Sequence, residues 1–256
     1  MENDSGNADA GDDVLGLSWP EFLPWFQERW RPGEHVNIVA RTGTGKTTIE
    51  VGILPLRRWV LALDAKGGDR TLSALEKRGF RRLSAWPPDR RTMRSIRDRV
   101  EAGQPARFVV GKKSRKRADR PGIRETCRAA LLDAQEWGGW TICVDELQLM
   151  TDPRMMDLDD IFDELAILAR DAGVSLVSAA QQVVRVSRAA SNQATWFIAG
   201  YTRDLDAVAR LGEMAGRSRA EMRGAVRALR NLRHSILVFS DNPYDPVVTT
   251  IAPRVV

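Results

Sequence analysis

Short apolar runs alternate with longer amphipathic stretches along most of the chain, and this alternation predicts the fold class. The apolar runs are bounded by turn residues, which is typical of buried strands. We predict strands over 36–40, 59–63, 80–83, 107–110, 140–144, 174–178, 195–199 and 235–239, with an edge strand over 247–251. Helices are predicted from about Lys46 and over 69–78, 89–102, 121–137, 156–171, 203–215 and 218–232. Strands that alternate with helices favour an α/β fold with a mostly parallel central sheet and helices on both faces.

The first 35 residues do not follow this alternation. Residues 1–13 contain five acidic and no basic side chains, so we expect a disordered acidic tail there. Residues 14–35 form an aromatic segment, and its stretch SWPEFLPWFQERW predicts a short helix or an extended clamp that packs on the main domain. The rings expected to pack are Trp19, Trp25, Phe26 and Trp30, with stacking on nucleic-acid bases as the alternative. The main domain is expected over 36–256.

Composition excludes several classes of protein. The chain has 256 residues, of which 43% are hydrophobic and 29% are charged, as in ordinary globular proteins. Only two cysteines, Cys127 and Cys143, and two histidines are present, which excludes a disulfide scaffold, a four-cysteine zinc site and histidine-rich metal chemistry. The sequence has no apolar run near 18 residues and no signal-peptide pattern, so we expect no membrane segment and a cytoplasmic location.

Positive charge is concentrated in one part of the chain. Residues 76–128 contain 18 Lys or Arg and 6 Asp or Glu, although the whole chain has a net charge of only +5. Such a block attracts phosphate backbones through counterion release and carries no information about base sequence. The alternative is a solvated, arginine-rich face. The candidate nucleic-acid contacts lie in the densest run, and they are Lys112, Lys113, Arg115, Lys116, Arg117 and Arg120.

The stretch ARTGTGKTT at 40–48 is the strongest chemical signal. It fits the phosphate-binding pattern G-x-x-x-x-G-K-[ST] between a strand and a helix, except that Ala40 replaces the first glycine. Glycines let the backbone N–H groups wrap a phosphate, the lysine reaches the β- and γ-phosphates, and Thr47 would ligate Mg²⁺. An ordinary glycine-rich turn is the alternative. The candidate nucleotide-binding residues are Arg41, Thr42, Gly43, Thr44, Gly45, Lys46, Thr47 and Thr48.

Two carboxylates follow the apolar strand that ends at Val144. A carboxylate at the carboxyl end of a strand in an open α/β sheet lies in the ligand crevice. We therefore expect Asp145 to hold the Mg²⁺ complex and Glu146 to act as the general base on water. The alternative is an acidic pair that caps a helix.

A third polar strand end follows the strand predicted at 174–178. The strand runs into small residues and then into Gln181 and Gln182. Gln181 is the candidate sensor of the γ-phosphate, and Gln182 is the neighbour that could take this role. A polar strand end that faces solvent is the alternative.

Together these motifs resemble the FtsK/HerA superfamily of DNA-pumping ATPases over roughly residues 36–200. The matching elements are the phosphate loop at 40–47, the segment LDAKGGD at 63–69, the pair Asp145-Glu146 and the strand that ends in Gln181. The Asp-x-Lys-Gly-Gly segment is similar to a turn of FtsK-type proteins and distinguishes the chain from a generic AAA+ ATPase. The resemblance implies a P-loop NTPase of the RecA/FtsK-like type, with an additional strand and a catalytic glutamate.

The resemblance also implies a role for Arg170, which is the arginine of the stretch LARDAGV at 168–174, a stretch similar to Ala-Arg-x-x-Gly in FtsK-like proteins. Packaging ATPases of this group place a trans-acting arginine here, so Arg170 is the candidate arginine finger. A surface ion pair is the alternative for Arg170, and the weaker candidates for the finger are Arg154, Arg185, Arg188 and Arg203.

The function implied by the resemblance is an ATP-hydrolysing, DNA-translocating ATPase, most naturally a compact genome-packaging or DNA-transfer motor. Its expected cofactors are ATP and Mg²⁺. Its expected partners are double-stranded DNA, other copies of the chain in a pentameric or hexameric ring, and a portal or other docking protein in a bacterial host cytoplasm. A protein-remodelling AAA+ or RecA-like ATPase and a nucleotide-gated DNA-binding switch are the competing hypotheses.

Overall fold

The computed structural model describes residues 14–40, 45–168, 170–180, 193–230, 232, 234–242 and 245–252. These residues form one ten-stranded sheet in the order β1-β10-β9-β8-β2-β7-β6-β3-β5-β4. The strands are β1 Val14–Ser18, β2 His35–Val39, β3 Trp59–Leu63, β4 Arg81–Leu83, β5 Ala106–Val110, β6 Thr141–Val144, β7 Ser175–Ala180, β8 Ala194–Gly200, β9 Ser235–Ser240 and β10 Val247–Ile251.

Helices connect most of the strands. They are α1 Trp19–Arg29, α2 Lys46–Ile53, α3 Arg70–Lys77, α4 Arg90–Glu101, α5 Arg120–Trp137, α6 Leu147–Thr151, α7 Asp159–Leu168, α8 Leu205–Met214 and α9 Arg219–Ala228. Several begin at side-chain caps, as α3 does where the Asp69 carboxylate accepts a hydrogen bond from the Thr71 N–H group. None of the helices within the described residues is both long and apolar enough to cross a membrane.

The motif-bearing strands are neighbours in the parallel part of the sheet. Strand β7 lies between β2 and β6, and β3 pairs with the other side of β6, all in parallel. Strand β2 precedes the phosphate loop, β3 follows it, and β6 precedes the acidic pair. Neither β3 nor β6 is adjacent to β2, as expected for the additional-strand type. Because these strands are parallel, their carboxyl ends meet at one end of the sheet, which we call the carboxyl end. The predicted α/β fold with a mostly parallel sheet is confirmed.

Two corrections concern the flank formed by the last strands. The predicted edge strand at 247–251 is β10, but it is not an edge, because β1 pairs with it in parallel and β9 pairs with it antiparallel. The sequence analysis missed β1, since its residues VLGLS include a glycine and alternate only weakly between partly buried and exposed positions. Strand β1 instead forms the edge of this flank.

The core lies on both faces of the sheet. One cluster surrounds Trp140 and packs α4, α5 and α7, whereas a second contains Phe22 and Phe26 of α1 together with α2 and α3. A third packs α8 and α9 on the antiparallel flank. Ser18 and Glu21 form a capping box at the start of α1, and Phe22 and Phe26 are fully buried one turn apart. These two side chains therefore pack in the core and present no face to a base.

Candidate nucleotide site

The phosphate-loop pattern spans a strand, a turn and a helix. Strand β2 ends at Val39, Ala40 is buried, and α2 begins at Lys46. Gly45 has a φ of 105°, a left-handed conformation that favours glycine. Residues 41–44, which include the candidates Arg41, Thr42, Gly43 and Thr44, lie outside the described residues. The described flanks agree with the strand–turn–helix context that this pattern requires.

Lys46 connects the phosphate loop to the acidic pair. Its Nζ donates a hydrogen bond of 3.0 Å to the backbone oxygen of Asp145 and lies 3.2 Å from Asp145 Oδ1. The ammonium group is therefore at the carboxyl end of β6, across β7 from its own strand. A cation held here can move toward phosphate oxygens that enter the loop.

Lys66 is a second lysine in the same place, and the sequence analysis quoted it without giving it a role. Its Nζ lies 2.7 Å from Asp145 Oδ2, 3.0 Å from Glu146 Oε2 and 3.3 Å from Asp69 Oδ2. The signal that could have located it is the adjacency of β3 and β6, because Lys66 follows one strand and Asp145 follows the other. The carboxylates of the acidic pair are thus bridged by one ammonium group.

The charges of this cluster shift its pKa values. Burial opposes ionisation of Asp145, but Lys46 and Lys66 nevertheless hold its pKa below the ordinary value. Burial would lower the pKa of Lys66, but hydrogen bonds and charge interactions with Asp145 and Glu146 raise it instead. Lys66 is therefore a cation and Asp145 is an anion at neutral pH.

The oxygen atoms of this cluster suit a divalent cation. Asp145 Oδ1 is buried and accepts no hydrogen bond with good geometry from any described residue. The Thr47 hydroxyl is at the start of α2 and hydrogen-bonds to the Thr71 hydroxyl over 2.8 Å. A carboxylate and a hydroxyl are ligands that Mg²⁺ prefers in phosphate sites, so Thr47 and Asp145 fit the ion. Thr48, also a candidate for nucleotide binding, is buried.

Glu50 is a buried carboxyl beside the site that the sequence analysis missed. It is fully buried, and neither of its oxygens accepts a hydrogen bond from the described residues. Burial raises the pKa of Glu50 well above its ordinary value, and the negative charge of Asp145 raises it further. The available signal was spacing, because Glu50 is four residues after Lys46 and therefore on the same face of α2.

Arg170 lies at the other end of the sheet, which we call the amino end. It is exposed and precedes β7, and its backbone oxygen lies 3.0 Å from where a Cβ on Gly33 would be, just before β2. A six-residue strand such as β7 is about 20 Å long, so this distance separates Arg170 from the nucleotide cluster of its own subunit. Arg170 therefore cannot act in the site of its own subunit.

The remaining candidates for contact with the γ-phosphate are two glutamines and four arginines. Gln181, Gln182, Arg185 and Arg188 lie outside the described residues. Strand β7 ends at Ala180, whose backbone oxygen accepts a hydrogen bond from Ala40, so the chain enters this stretch beside the phosphate loop. The prediction for Gln181 stays a prediction. Arg154 and Arg203 are exposed and follow β6 and β8 toward the carboxyl end.

The basic run forms a loop on the same carboxyl end, after β5. All six candidates are exposed, and they are Lys112, Lys113, Arg115, Lys116, Arg117 and Arg120. We call residues 112–117 the basic loop. Lys112 pairs with Asp119 over 2.8 Å, and Arg115 donates a hydrogen bond of 3.2 Å to the backbone oxygen of Gly68. The side chains of Lys113, Lys116 and Arg117 make no hydrogen bond or ion pair with another described residue, so they are available to an external anion.

A cavity of about 530 Å³ separates the basic loop from the acidic pair. Its charged lining residues include Lys66 and Glu146, together with Arg115, Lys116 and Arg120 of the basic run. Its remaining wall is largely apolar and includes Ile123, Leu149, Met155 and Met156. Glu146 and three of the six candidate nucleic-acid contacts therefore open into one space.

The topology and the cluster together define the P-loop NTPase fold with an additional strand. The chain matches no protein-family model and no curated protein. Solved structures do match it. The DNA-packaging ATPase B204 from Sulfolobus turreted icosahedral virus is 18% identical and has a TM-score of 0.56, over 88% of this chain and 100% of that one. VirB4 of Thermoanaerobacter pseudethanolicus is 11% identical with a TM-score of 0.57, over 86% and 89%.

A related match includes a nucleotide analogue. The genome-packaging NTPase B204 from Sulfolobus turreted icosahedral virus 2, in complex with ATP-gammaS, is 16% identical with a TM-score of 0.54, over 86% of this chain and 98% of that one. These similarities extend over nearly the whole of each structure. They confirm the fold that the motifs predicted, and they show that the compact packaging NTPases share it.

Proposed function

We propose that this chain is an ATP-hydrolysing DNA translocase, of the kind that packages or transfers DNA. The observation that carries the proposal is the convergence of Lys46, Lys66, Asp145 and Glu146 at the carboxyl end of the sheet, with the basic loop on the same end. A phosphate-binding lysine and a paired acidic site suit ATP hydrolysis, and a dense set of exposed cations suits a DNA backbone. Packaging ATPases with the same fold support this combination.

Each residue has a distinct role in this proposal. The phosphate loop at 40–47 would wrap the phosphates, and Lys46 would leave Asp145 to pair with their oxygens. Thr47 and Asp145 would hold Mg²⁺, which when bound neutralises the phosphate charge. Glu146 would accept a proton from the attacking water, and Gln181 would contact the γ-phosphate.

Arg170 supports an assembly of several copies. Because it lies at the amino end, it can reach a nucleotide only in a neighbouring subunit, as a trans-acting arginine does. The exposed side chains of Ile167 and Leu168 lie just before it and would be covered by such a neighbour. We infer a homo-oligomeric ring of five or six copies around double-stranded DNA, docked on a portal or similar protein in a host cytoplasm.

Steady-state ATP hydrolysis with and without long double-stranded DNA, at low and high salt, tests this function. We expect strong stimulation that fades at high salt, because backbone contacts release counterions. The variant Glu146→Gln should bind ATP and hydrolyse it about 10²–10⁴ times more slowly, the range for loss of a general base. The exposed Glu101 provides a control, and Glu101→Gln should behave like the wild type.

Two outcomes would contradict the proposal. A hydrolysis rate that DNA does not change at any salt concentration would favour a protein-remodelling ATPase. A Glu146→Gln variant with wild-type hydrolysis would remove Glu146 from its role, and nucleotide binding without any hydrolysis in the wild type would favour a nucleotide-gated switch.

A further inference from the structure

Helix α9 presents a row of arginines on its outer face. Arg219, Arg223 and Arg227 follow one another at intervals of four residues, so they share one face of the helix. All three are exposed, and so is Arg230, just beyond the end of the helix. Their side chains make no hydrogen bond, ion pair or ring contact with any other described residue. We call these four residues the arginine row.

Acids of the same helical hairpin do not neutralise the arginine row. The hairpin of α8 and α9, residues 201–230, contains seven arginines and four acidic residues. The acidic residue of α9 itself, Glu221, is held in a capping box, where its carboxylate accepts a hydrogen bond of 2.7 Å from the Ser218 N–H group. Like charges four residues apart on a helix repel one another. An anion that covers the row would therefore stabilise α9.

The acidic tail, residues 1–13, joins the folded chain beside this row. The tail lies outside the described residues, and Val14 is the first residue after it. Val14 is partly buried and packs against the apolar cluster that also contains Met222 and Val226 of α9. The tail therefore leaves the sheet on the face that α9 covers.

A hydrogen bond places this junction near the first turn of α9. Arg217, two residues before the helix, donates a hydrogen bond to the backbone oxygen of Asp245. Asp245 is two residues before Val247, and Val247 is the strand partner of Val14. The tail therefore begins at the amino end of the sheet, where the arginine row also begins.

The length and the charge of the tail both suit a contact with the row. An extended chain advances about 3.4 Å per residue, and a helix of the length of α9 is about 15 Å long, so about five residues span it. Residues 9–13 alone are therefore long enough to lie along the row, and three of them are acidic. The whole tail has no basic side chain and five acids, which are Glu2, Asp4, Asp9, Asp12 and Asp13.

The basic loop is out of reach for most of these acids. Strand β5, which precedes the loop, is eight strands away from β1 in the sheet. At about 4.8 Å per strand this separation is about 38 Å, and the loop also lies at the opposite end of the sheet. A chain of 13 residues reaches about 44 Å when it is fully extended, so its acids cannot gather at the loop. The arginine row is the nearer cationic surface.

We propose that the acidic tail docks on the arginine row of its own chain and shields this row from DNA. Because the tail is tethered beside the row, its effective concentration there is on the order of millimolar. Its carboxylates compete with phosphodiesters for the same guanidinium groups, and DNA is thereby directed to the basic loop. The docking does not depend on the proposed function, whereas the shielding rests on it, because DNA is the competing anion.

The first test uses a carbodiimide, which joins an amine to a carboxylate in contact with it and leaves arginine unchanged. Arg223→Lys places an amine in the row, and Arg94→Lys is the matched control on the exposed face of α4. We expect Arg223→Lys to give a cross-linked peptide that contains residues of the tail, and Arg94→Lys to give no link to the tail. The link should be lost in about 1 M salt, where charges are screened beyond about 3 Å.

A mixture of isotope-labelled and unlabelled chains shows whether the link forms within one chain. Cross-linked peptides should carry one label throughout. Links between differently labelled chains, or no link to the tail from Arg223→Lys at low salt, would overturn the docking.

The second test measures affinity for a long DNA duplex as a function of salt concentration. The tail variant replaces every acid of the tail by its amide, as Glu2→Gln, Asp4→Asn, Asp9→Asn, Asp12→Asn and Asp13→Asn. At low salt it should bind the duplex about tenfold more tightly than the wild type, because the row becomes free to contact phosphates. The slope of log affinity against log salt should steepen by about two to three, since each new phosphate contact adds about 0.9.

A control background separates the row from the net charge of the chain. When Arg219→Ala, Arg223→Ala and Arg227→Ala are present, neutralising the tail should change the affinity by less than about twofold. A gain in affinity that persists in this background is an effect of net charge and would overturn the shielding.

The results also separate this inference from the proposed function. If the wild type neither binds DNA nor is stimulated by it, the proposed function fails and the shielding fails with it, and the cross-link alone decides whether the tail docks. If DNA stimulates the wild type and Arg223→Lys gives no link, the translocase proposal stands and only the inference is overturned.

Discussion

The two ends of the parallel sheet differ in the residues that they contain and in the contacts that these residues make. At the carboxyl end, apolar strands give way to charged residues that contact one another across strands, as Lys46, Lys66 and Asp145 do. At the amino end, glycines bring backbone segments into close contact. A Cβ on Gly138 would lie 2.6 Å from the Ala172 oxygen, and one on Gly139 would lie 2.8 Å from the Trp59 ring.

This difference implies that the residues for hydrolysis and the residues for fold stability lie at opposite ends of one sheet. The carboxyl end contains charged groups, several of them partly exposed and held by ion pairs that a ligand can exchange. At the amino end, Gly138 and Gly139 instead lie directly against backbone and ring atoms of neighbouring segments. We therefore expect substitutions at the carboxyl end to change rates, and substitutions at the amino end to change the free energy of unfolding. Arg170 is the exception, because it is a candidate functional residue at the amino end.

The largest expected effect tests that exception. Arg170→Ala should lower kcat by about 10³-fold, because a trans-acting arginine stabilises transition-state charge, and should leave thermal stability unchanged since the side chain is exposed. Arg31→Ala is a control at the same end of the sheet, where Arg31 is also exposed, and it should leave kcat unchanged.

A mixing experiment shows whether Arg170 acts between subunits. Neither Arg170→Ala nor Glu146→Gln should hydrolyse ATP at an appreciable rate alone. Mixed before assembly, they should recover activity, because a subunit with Glu146 can then receive Arg170 from its neighbour. If Arg170→Ala has the wild-type kcat, Arg170 is not an arginine finger. It is then a surface residue whose charge acts on nearby Asp241.

The next largest expected effect concerns the close backbone packing at the amino end. Gly138→Ala should destabilise the fold by about 1–3 kcal/mol, because its Cβ would overlap the Ala172 oxygen and its φ is 68°. The measurement is denaturant unfolding. Gly79→Ala is the control for the cost of the positive φ alone, because Gly79 has a φ of 88° and nothing lies within 4 Å of its Cβ position. Hydrolysis per folded molecule should not change. A Gly138→Ala variant no less stable than Gly79→Ala would mean that the Ala172 contact relaxes freely.

The smallest effect concerns the basic loop. Replacing Lys113 and Arg117 by alanine should lower affinity for double-stranded DNA about tenfold and reduce the slope of log affinity against log salt by about two. Replacing the exposed Arg223 and Arg227 of α9 removes the same charge elsewhere. If both pairs change the slope equally, DNA follows the net charge of the chain and not the basic loop.

The sequence predicted the core strands because each is a short apolar run, and it predicted Asp145 and Glu146 because they interrupt such a run. It could not predict contacts that depend on strand order. Lys66 and Asp145 are 79 residues apart and meet only because β3 pairs with β6. Glu50 was missed because a glutamate in a helix is ordinarily solvent-exposed, and it is buried only in the folded chain.

Strand β1 was missed for a related reason. Its apolar residues contact a partner more than two hundred residues away in sequence, at Val247–Ile251, so the local pattern carried little signal. For the same reason the edge prediction for β10 was wrong. An edge is a property of the assembled sheet, whereas periodicity reports only on the strand itself.

The position of β2 also has a consequence for biosynthesis. Its partners are β7, Ser175–Ala180, and β8, Ala194–Gly200, both encoded long after it. A ribosome-bound fragment that already contains residues 40–48 therefore lacks both strands that pair with β2, the strand before the phosphate loop. Pairing over such long separations delays folding. We expect a nascent chain to acquire affinity for ATP only after β8 has left the exit tunnel, so the molecule gains its nucleotide late in translation, near the moment when it can also assemble.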